Sequence, residues 1–299
     1  MAWKHSVLAA FTIAGLAAAP AQAKDPVVLA PLGDWELAEP TPDACIAVRL
    51  FGSGDAAHVL RLEQNWPGSG AEFWVAGPSF ERFMSYEKIA FRLQDGGKAR
   101  TLRPLTGMLP GFGKTIITTL SNNAIATSLG IARTSAAEQG AGLELLDTDA
   151  AEGVEFVGMK RGSDAEVRLA SGGLEAAFAM LNTCALGLLE QWGLDPAKHL
   201  AASQPARLLN EREIVGRMRK SYAEAGLATG ERGRIKVRLM IDEAGKVEEC
   251  VMIEAAVSAG LASPACEIMA DARFDPPLDA DGRAFRTFFV TPVEYRIAR

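Results

Sequence analysis

Three groups of residues in this chain have types and spacings that could carry out chemistry. His58 and Asp55 could form the acid–base pair of a hydrolase, Ser53 stands between two glycines, and Gly111–Thr115 (GFGKT) is similar to the end of a phosphate-binding loop. Each of these signals is weak. Such a loop needs a glycine at the position of Met108, and Ser53 lacks the Gly-x-Ser-x-Gly spacing of a nucleophile elbow.

A lone histidine in a strand is more often structural than catalytic. We therefore expect a protein that is not an enzyme, and the hydrolase that uses His58 and Asp55 remains an alternative. We also predict neither a cofactor nor a metal site. The reason is that no two cysteines are spaced Cys-x-x-Cys, and no histidine lies within a few residues of a cysteine.

The elements that could position functional residues are clearest in the last third of the chain. Apolar and polar residues alternate from Ile235 to Ile241, which is the period of a half-buried strand. A tight turn at Glu243–Lys246 leads into a second strand, and Pro276-Pro277 ends a short helix before a third strand. The predicted order is helix, strand, strand, helix, strand, at about residues 211–225, 235–241, 247–253, 263–273 and 284–297.

Spaced motifs accompany this order: a helix ending near Tyr222, then Gly233, Ile241-Asp242-x-x-Gly245-x-Val247, Arg273-Phe274-x-Pro276 and Pro292-Val293-Glu294-Tyr295. On these motifs, residues 208–299 resemble the C-terminal domain of TonB-family energy transducers. Two positions depart from the family pattern. Ala223 stands where proline is usual, and residues 256–260 stand where the family has Ser-Ser-Gly.

The resemblance implies a binding module rather than a reaction centre. Domains of this kind present an exposed edge strand that accepts an extended peptide of an outer-membrane receptor through main-chain hydrogen bonds. We therefore predict that the last strand binds such a peptide, through Arg286, Thr287, Phe288, Phe289, Val290 and Thr291. Edge pairing between two copies of the chain is the competing use, and it would give a homodimer.

The opposite end of the chain has the pattern of a secretory signal peptide. Lys4 precedes an apolar run over residues 7–19, and Ala21-Gln22-Ala23 follows as a cleavage signal. The run is too short to span a bilayer, which takes about 20 residues. We expect cleavage before Lys24 and a periplasmic mature protein, without the membrane anchor and long proline-rich span that the transducers carry.

The patterns along the chain predict an α+β protein with two domains. Residues 24–193 have the pattern of a mainly antiparallel β domain with one closing helix, since apolar residues recur every three or four positions after Gly172-Gly173. Residues 194–207 form the predicted linker, and 208–299 form the TonB-like domain. The mature chain would contain 30 basic residues (31 minus Lys4) and 37 acidic ones, so nucleic acid is not an expected partner.

The four cysteines make an even number, which is typical of disulfides in an oxidising compartment. The domain boundary favours the pairs Cys45–Cys184 and Cys250–Cys266, because each pair then lies within one domain. Cys250 falls in the second C-terminal strand, and Cys266 falls in the helix that should pack on that sheet. We therefore predict a disulfide-bonded envelope protein with a C-terminal binding module. A purely structural envelope protein is a further alternative.

Overall fold

The computed structural model describes residues 24–39, 41–53, 56–84, 88–132, 142–229, 233–257 and 264–295. The predicted signal segment lies outside these ranges. Within them the chain is an α+β protein, as predicted, with sixteen strands in four sheets and six α-helices. None of the helices in these ranges combines the length and the apolar character that a membrane span requires.

The strands are β1 (Val27–Leu29), β2 (Glu36–Leu37), β3 (Cys45–Phe51), β4 (His58–Gln64), β5 (Gly70–Ala76), β6 (Ile89–Arg92), β7 (Arg100–Leu102), β8 (Leu105–Leu109), β9 (Gly113–Ser121), β10 (Val157–Lys160), β11 (Val167–Leu169), β12 (Arg207–Leu208), β13 (Gly233–Ile241), β14 (Val247–Val257), β15 (Phe274–Asp275) and β16 (Thr287–Tyr295). The helices are α1 (Asn122–Leu129), α2 (Thr148–Glu152), α3 (Glu175–Gln191), α4 (Pro196–Ala201), α5 (Glu211–Thr229) and α6 (Ala265–Met269). A short 3₁₀ helix covers Pro78–Phe83.

An antiparallel six-stranded sheet, in the order β2-β3-β4-β5-β9-β8, is the largest sheet of the N-terminal part. Because side chains alternate along a strand, its two faces differ. On β5, Ala71, Phe73 and Val75 enter the hydrophobic core, whereas Glu72 and Trp74 point to the opposite face. The polar side of this sheet is therefore available to meet another part of the molecule.

The core face of this sheet is closed by a second sheet and by α3. The second sheet has the order β1-β11-β10-β6-β7, and its strand β1 runs parallel to β11. The closing helix that the sequence predicted is α3, and its buried face follows the predicted spacing. Four of its fully buried side chains are Phe178, Leu181, Ala185 and Leu188.

The C-terminal part has the predicted order of helix, strand, strand, helix, strand. Its sheet has the order β14-β13-β16, so the first strand of the three lies in the middle. The third strand begins at Thr287, three residues later than the predicted start at about 284. A core formed by Val237, Leu239 and Ile268, among others, joins one face of the sheet to α5 and α6. We call this side the helix face, and the opposite side the domain face.

Residues 194–207, the predicted linker, contain the short helix α4. Asp195 caps it by accepting hydrogen bonds from the backbone N–H groups of Ala197 and Lys198, and Pro196 occupies the first turn, where its missing N–H costs nothing. After α4 the chain runs beside residues 274–278 and pairs through β12 with β15. This segment is therefore held by contacts along much of its length.

Both predicted disulfides are formed in the structure. Cys45 on β3 is bonded to Cys184 on α3, and Cys250 on β14 is bonded to Cys266 on α6. Each bond joins a strand to the helix that covers it. The first closes a loop with a sequence separation of 139 residues and the second a loop of 16.

We expect the Cys45→Ala/Cys184→Ala variant to lose more stability than the Cys250→Ala/Cys266→Ala variant. The loop-entropy model assigns about 5 kcal/mol to closing a loop of more than 100 residues and about 3 kcal/mol to a loop of about 15. Urea unfolding of the two double variants measures the difference, and peptide mapping without reductant verifies the pairing in the parent protein. A bond between the N- and C-terminal parts would contradict this arrangement.

Candidate functional site

The strand β16 lies at an edge of the C-terminal sheet. It pairs with β13 along its whole length, from Ile241 opposite Thr287 to Gly233 opposite Tyr295. Within the described residues, no strand pairs with its other side. The strand that the sequence predicted to bind a peptide therefore has one free edge.

Pro292 indicates which backbone groups point to that free edge. Proline has no N–H, and within a sheet it occurs where an N–H would face away from the neighbouring strand. In an antiparallel ladder this orientation alternates from residue to residue, and the pairing of β16 with β13 has no register shift. The N–H groups of Phe288 and Val290 therefore point to the free edge, while those of Phe289 and Thr291 point to β13.

The side chains of β16 divide between the two faces of the sheet. Phe289 and Val293 pack on the helix face, in the core beneath α5 and α6. Phe288 and Val290 share the domain face with their partners on β13, Met240 and Arg238. A peptide added to the edge would extend both of these faces.

The domain face is covered by the N-terminal part through buried charges. The Nζ atom of Lys236 lies 2.9 Å from Oε2 of Glu72, and both side chains are almost fully buried. Lys236 also donates a hydrogen bond to the side-chain oxygen of Asn65. The amide of Asn65 donates in turn to Glu63, whose carboxylate pairs with Arg61 at 2.5 Å. Lys236 thus enters a network built from the polar side of the six-stranded sheet.

A second contact lies two residues further along β13. The guanidinium of Arg238 donates to Asp43 at 3.0 Å and lies over the ring of Trp192, 4.3 Å from its centroid. Met240, the next residue on this face, is buried in a small cluster with Leu189, Leu194, Trp192 and Phe288. These contacts fix the C-terminal sheet against the end of α3, so the two parts share a polar and an apolar interface.

Arg286, which precedes β16, and the first residue of that strand contact the end of α3 and the helix α4. Arg286 donates to the backbone carbonyl of Trp192 and pairs with Glu248 at 2.6 Å. Thr287 is buried, and its hydroxyl lies 3.1 Å from Nε2 of His199 on α4. Burial lowers the pKa of His199 below its ordinary value, which favours the neutral ring.

The six residues of the predicted binding strand therefore differ in their surroundings. Arg286, Thr287 and Phe288 contact α4 or the end of α3. Phe289 packs in the core of the C-terminal part, while Val290 and Thr291 are partly exposed. The later half of the strand offers the more accessible edge.

His58, the catalytic residue of the alternative hydrolase, has a structural position. It is 2 % exposed, its Nε2 accepts a hydrogen bond from the Ser79 N–H at 3.0 Å, and its ring packs edge-on against Phe80. Burial lowers its pKa. The suggested partner Asp55 lies outside the described residues. In the part of the chain that the structure describes, no group of three His, Cys, Asp or Glu side chains could hold a metal ion.

The sequence did not reveal the interface on the domain face. Lys236 and Arg238 have the alternation of a strand with one solvent-exposed side, and nothing in that pattern distinguishes water from a second polar surface. A signal was present on the other side of the interface. Glu72 lies in a strand whose other residues are glycine or apolar, so a charge there needs a buried partner.

Comparison with known families identifies the C-terminal part. Residues 218–297 match the family model described as Gram-negative bacterial TonB protein C-terminal, which confirms the resemblance. The match includes β13, β14, α6 and β16 and none of the N-terminal part. No curated protein and no solved structure matches the chain. The C-terminal part is thus a TonB-like protein-interaction module, and with the two disulfides it indicates a protein of the cell envelope.

We expect the Lys236→Met variant to lose about 3–5 kcal/mol of unfolding free energy, because it leaves the carboxylate of Glu72 buried without its cation. The double variant Lys236→Met/Glu72→Leu removes both charges and should regain most of the loss. Urea unfolding of the single and double variants measures the coupling. As a control, Arg207→Met breaks the exposed pair with Asp275 and should cost little. Equal losses for Lys236→Met and Arg207→Met would contradict a buried pair.

Proposed function

We propose that this protein is a periplasmic binding protein whose TonB-like module pairs with an extended peptide of an outer-membrane protein. The observation that carries the proposal is the free edge of β16, with outward N–H groups on Phe288 and Val290 in a fold that matches the TonB family model. Main-chain hydrogen bonds to an edge strand give affinity, and the adjoining side chains give selectivity.

The accessible part of this edge is short and lies toward the end of the strand. Val290, Thr291 and Val293 are half-buried and Pro292 is exposed, whereas Thr287 is closed off by His199. A peptide would therefore pair first with residues 290–293 and extend from there. A second copy of the chain could use the same edge, which would give a homodimer in place of a peptide complex.

The cellular location in this proposal depends on the signal segment and the disulfides. A cleavable signal would deliver the chain to the periplasm, an oxidising compartment in which both cysteine pairs can form. After cleavage of the signal, the module would bind its partner while free of the inner membrane. Its role would then be recognition, whereas energy transduction requires a link to that membrane.

We expect Val290→Pro to abolish peptide binding while the domain stays folded, because it removes an N–H that points to the free edge. Thr291→Pro should instead destabilise the domain, because it removes a ladder hydrogen bond to Val237 and leaves a buried carbonyl unpaired, at a cost of about 1–3 kcal/mol. Val290→Ala is the matched control, since it shortens the side chain and keeps the N–H.

Binding of peptides from the periplasmic segments of outer-membrane receptors can be measured by fluorescence anisotropy, with circular dichroism as the measure of folding. If Val290→Pro and Val290→Ala bind equally well, the edge is not used. If the parent protein binds no such peptide but forms a dimer that Val290→Pro dissociates, the homodimer is the correct use of the edge.

We expect the protein isolated from the periplasm to begin at Lys24. Intact-mass measurement and N-terminal sequencing determine this directly. Replacing Ala21 and Ala23 by bulky residues should block cleavage, because the processing site requires small side chains, and the precursor should then stay with the membrane fraction. A parent protein that retains residues 1–23 would contradict the periplasmic proposal.

A further inference from the structure

The segment Asp195–Ala202, which contains α4, lies across the beginning of β16, and we call it the strap. It has little buried surface of its own: Lys198 and Leu200 are exposed, and its buried side chains are His199 and Ala202. His199 is 5 % exposed, and its ring contacts Thr287 and Phe288 at the start of β16. This side chain therefore joins the strap to β16.

The ring of His199 contacts the first residues of β16 and Phe285, which precedes the strand. It forms a hydrogen bond with Thr287, and its centroid lies 5.8 Å from the ring of Phe288. Thr287 and Phe288 are consecutive residues of a strand, so their side chains point to opposite faces. The ring also packs edge-on against Phe285, 5.1 Å away between centroids, so His199 covers the start of β16, where β13 occupies one side of the strand.

Two backbone hydrogen bonds hold the strap and the residue that follows it. The N–H of Leu143 donates to the carbonyl of His199 at 2.9 Å, and the N–H of Ser203 donates to the carbonyl of Leu278 at 3.0 Å. Gly142 packs so closely that a Cβ atom there would lie 2.5 Å from the carbonyl oxygen of His199 and 2.8 Å from that of Ala202. A side chain at position 142 therefore requires a shift of the backbone contact between Gly142 and the strap.

We propose that the strap is an autoinhibitory element that keeps the first half of the β16 edge closed. A peptide that pairs with the accessible residues 290–293 can extend toward Thr287 only after His199 has left its position. The ligand in this proposal depends on the proposed function, whereas the closure of the edge by the strap does not. Displacing the strap converts a short binding edge into a complete one.

Two variants should open the strap from opposite sides. Thr287→Val removes the hydroxyl that pairs with His199 and keeps the size of the side chain. Gly142→Ala introduces the Cβ atom that the strap cannot accommodate, and it lies away from β16. The matched control is Thr291→Val, which makes the same change on the same face of the same strand. Thr291 lies opposite Val237, four residue pairs further from the strap.

The first measurement is hydrogen exchange by mass spectrometry on the full-length protein. We expect exchange in residues 195–202 and 286–288 to increase about three- to tenfold in Thr287→Val, the factor that corresponds to losing one hydrogen bond. Gly142→Ala should give a similar increase, while residues 58–64 on β4 exchange as in the parent protein. Thr291→Val should leave residues 195–202 unchanged. Unchanged exchange of the strap in both opening variants would overturn the proposal.

The second measurement is the affinity for receptor-derived peptides, which should increase in both opening variants if the strap competes with the ligand. Faster exchange with tighter binding supports the whole proposal. Faster exchange in a protein that binds no peptide, with or without the variants, supports the closure of the edge and overturns the proposed ligand. Faster exchange with unchanged binding in a protein that does bind overturns autoinhibition, because the strap would then not compete.

Discussion

The buried pair between Lys236 and Glu72 is the interaction on which the arrangement of this protein depends. An ammonium and a carboxylate withdrawn from water are stable only while they remain together and hydrogen-bonded. Asn65, Glu63 and Arg61 supply the additional hydrogen bonds, and all of them belong to the N-terminal part. Unlike an apolar contact, such a network has one relative position at which it is satisfied. It therefore fixes the register of the two parts as well as holding them together.

The fixed arrangement of the two parts also determines which surfaces of the TonB-like module are covered. Its sheet is covered on one face by α5 and α6 and on the other by the six-stranded sheet and the end of α3. Both faces of the sheet are thus occupied from within the chain, so the edges of the sheet are where a partner can add to it. In the proposed mode of binding, main-chain hydrogen bonds along such an edge would impose an extended conformation on the partner. Partly exposed side chains of β16 such as Val290 would then supply the selectivity.

Much of the fold could be predicted from the sequence, because local periodicity determines which residues form strands and helices. The alternation of residues 235–241, the spacing along α3 and both cysteine pairs correspond to what the structure contains. The relation between the two parts could not be predicted. A strand such as β13 with Lys236 and Arg238 on one side has the same pattern whether that side meets water or a polar surface. The contact pairs residues that are far apart in sequence, and local periodicity contains no information about such contacts.

The sequence predicted the edge strand itself but not the contact that covers its first residue. The family resemblance implied a free edge on the last strand, and within the described residues no strand pairs with the outer side of β16. Thr287 is in contact with His199, which lies in the segment 194–207. The prolines and small residues of this segment are typical of a linker, so the sequence did not indicate the contact. Short helices such as α4 have too few residues for a periodic signal, and their position is set by caps and tertiary contacts.

The central position of β13 also determines how the molecule would transmit a pulling force. A ligand attached along β16 and pulled along the axis of that strand would load the hydrogen bonds between β16 and β13 in shear, all of them together. From β13 the tension would pass through Lys236 and Arg238 into the six-stranded sheet, and not through the disulfide on β14. This route crosses the buried pair between Lys236 and Glu72, so the force at which the two parts separate should depend on whether water can reach that pair.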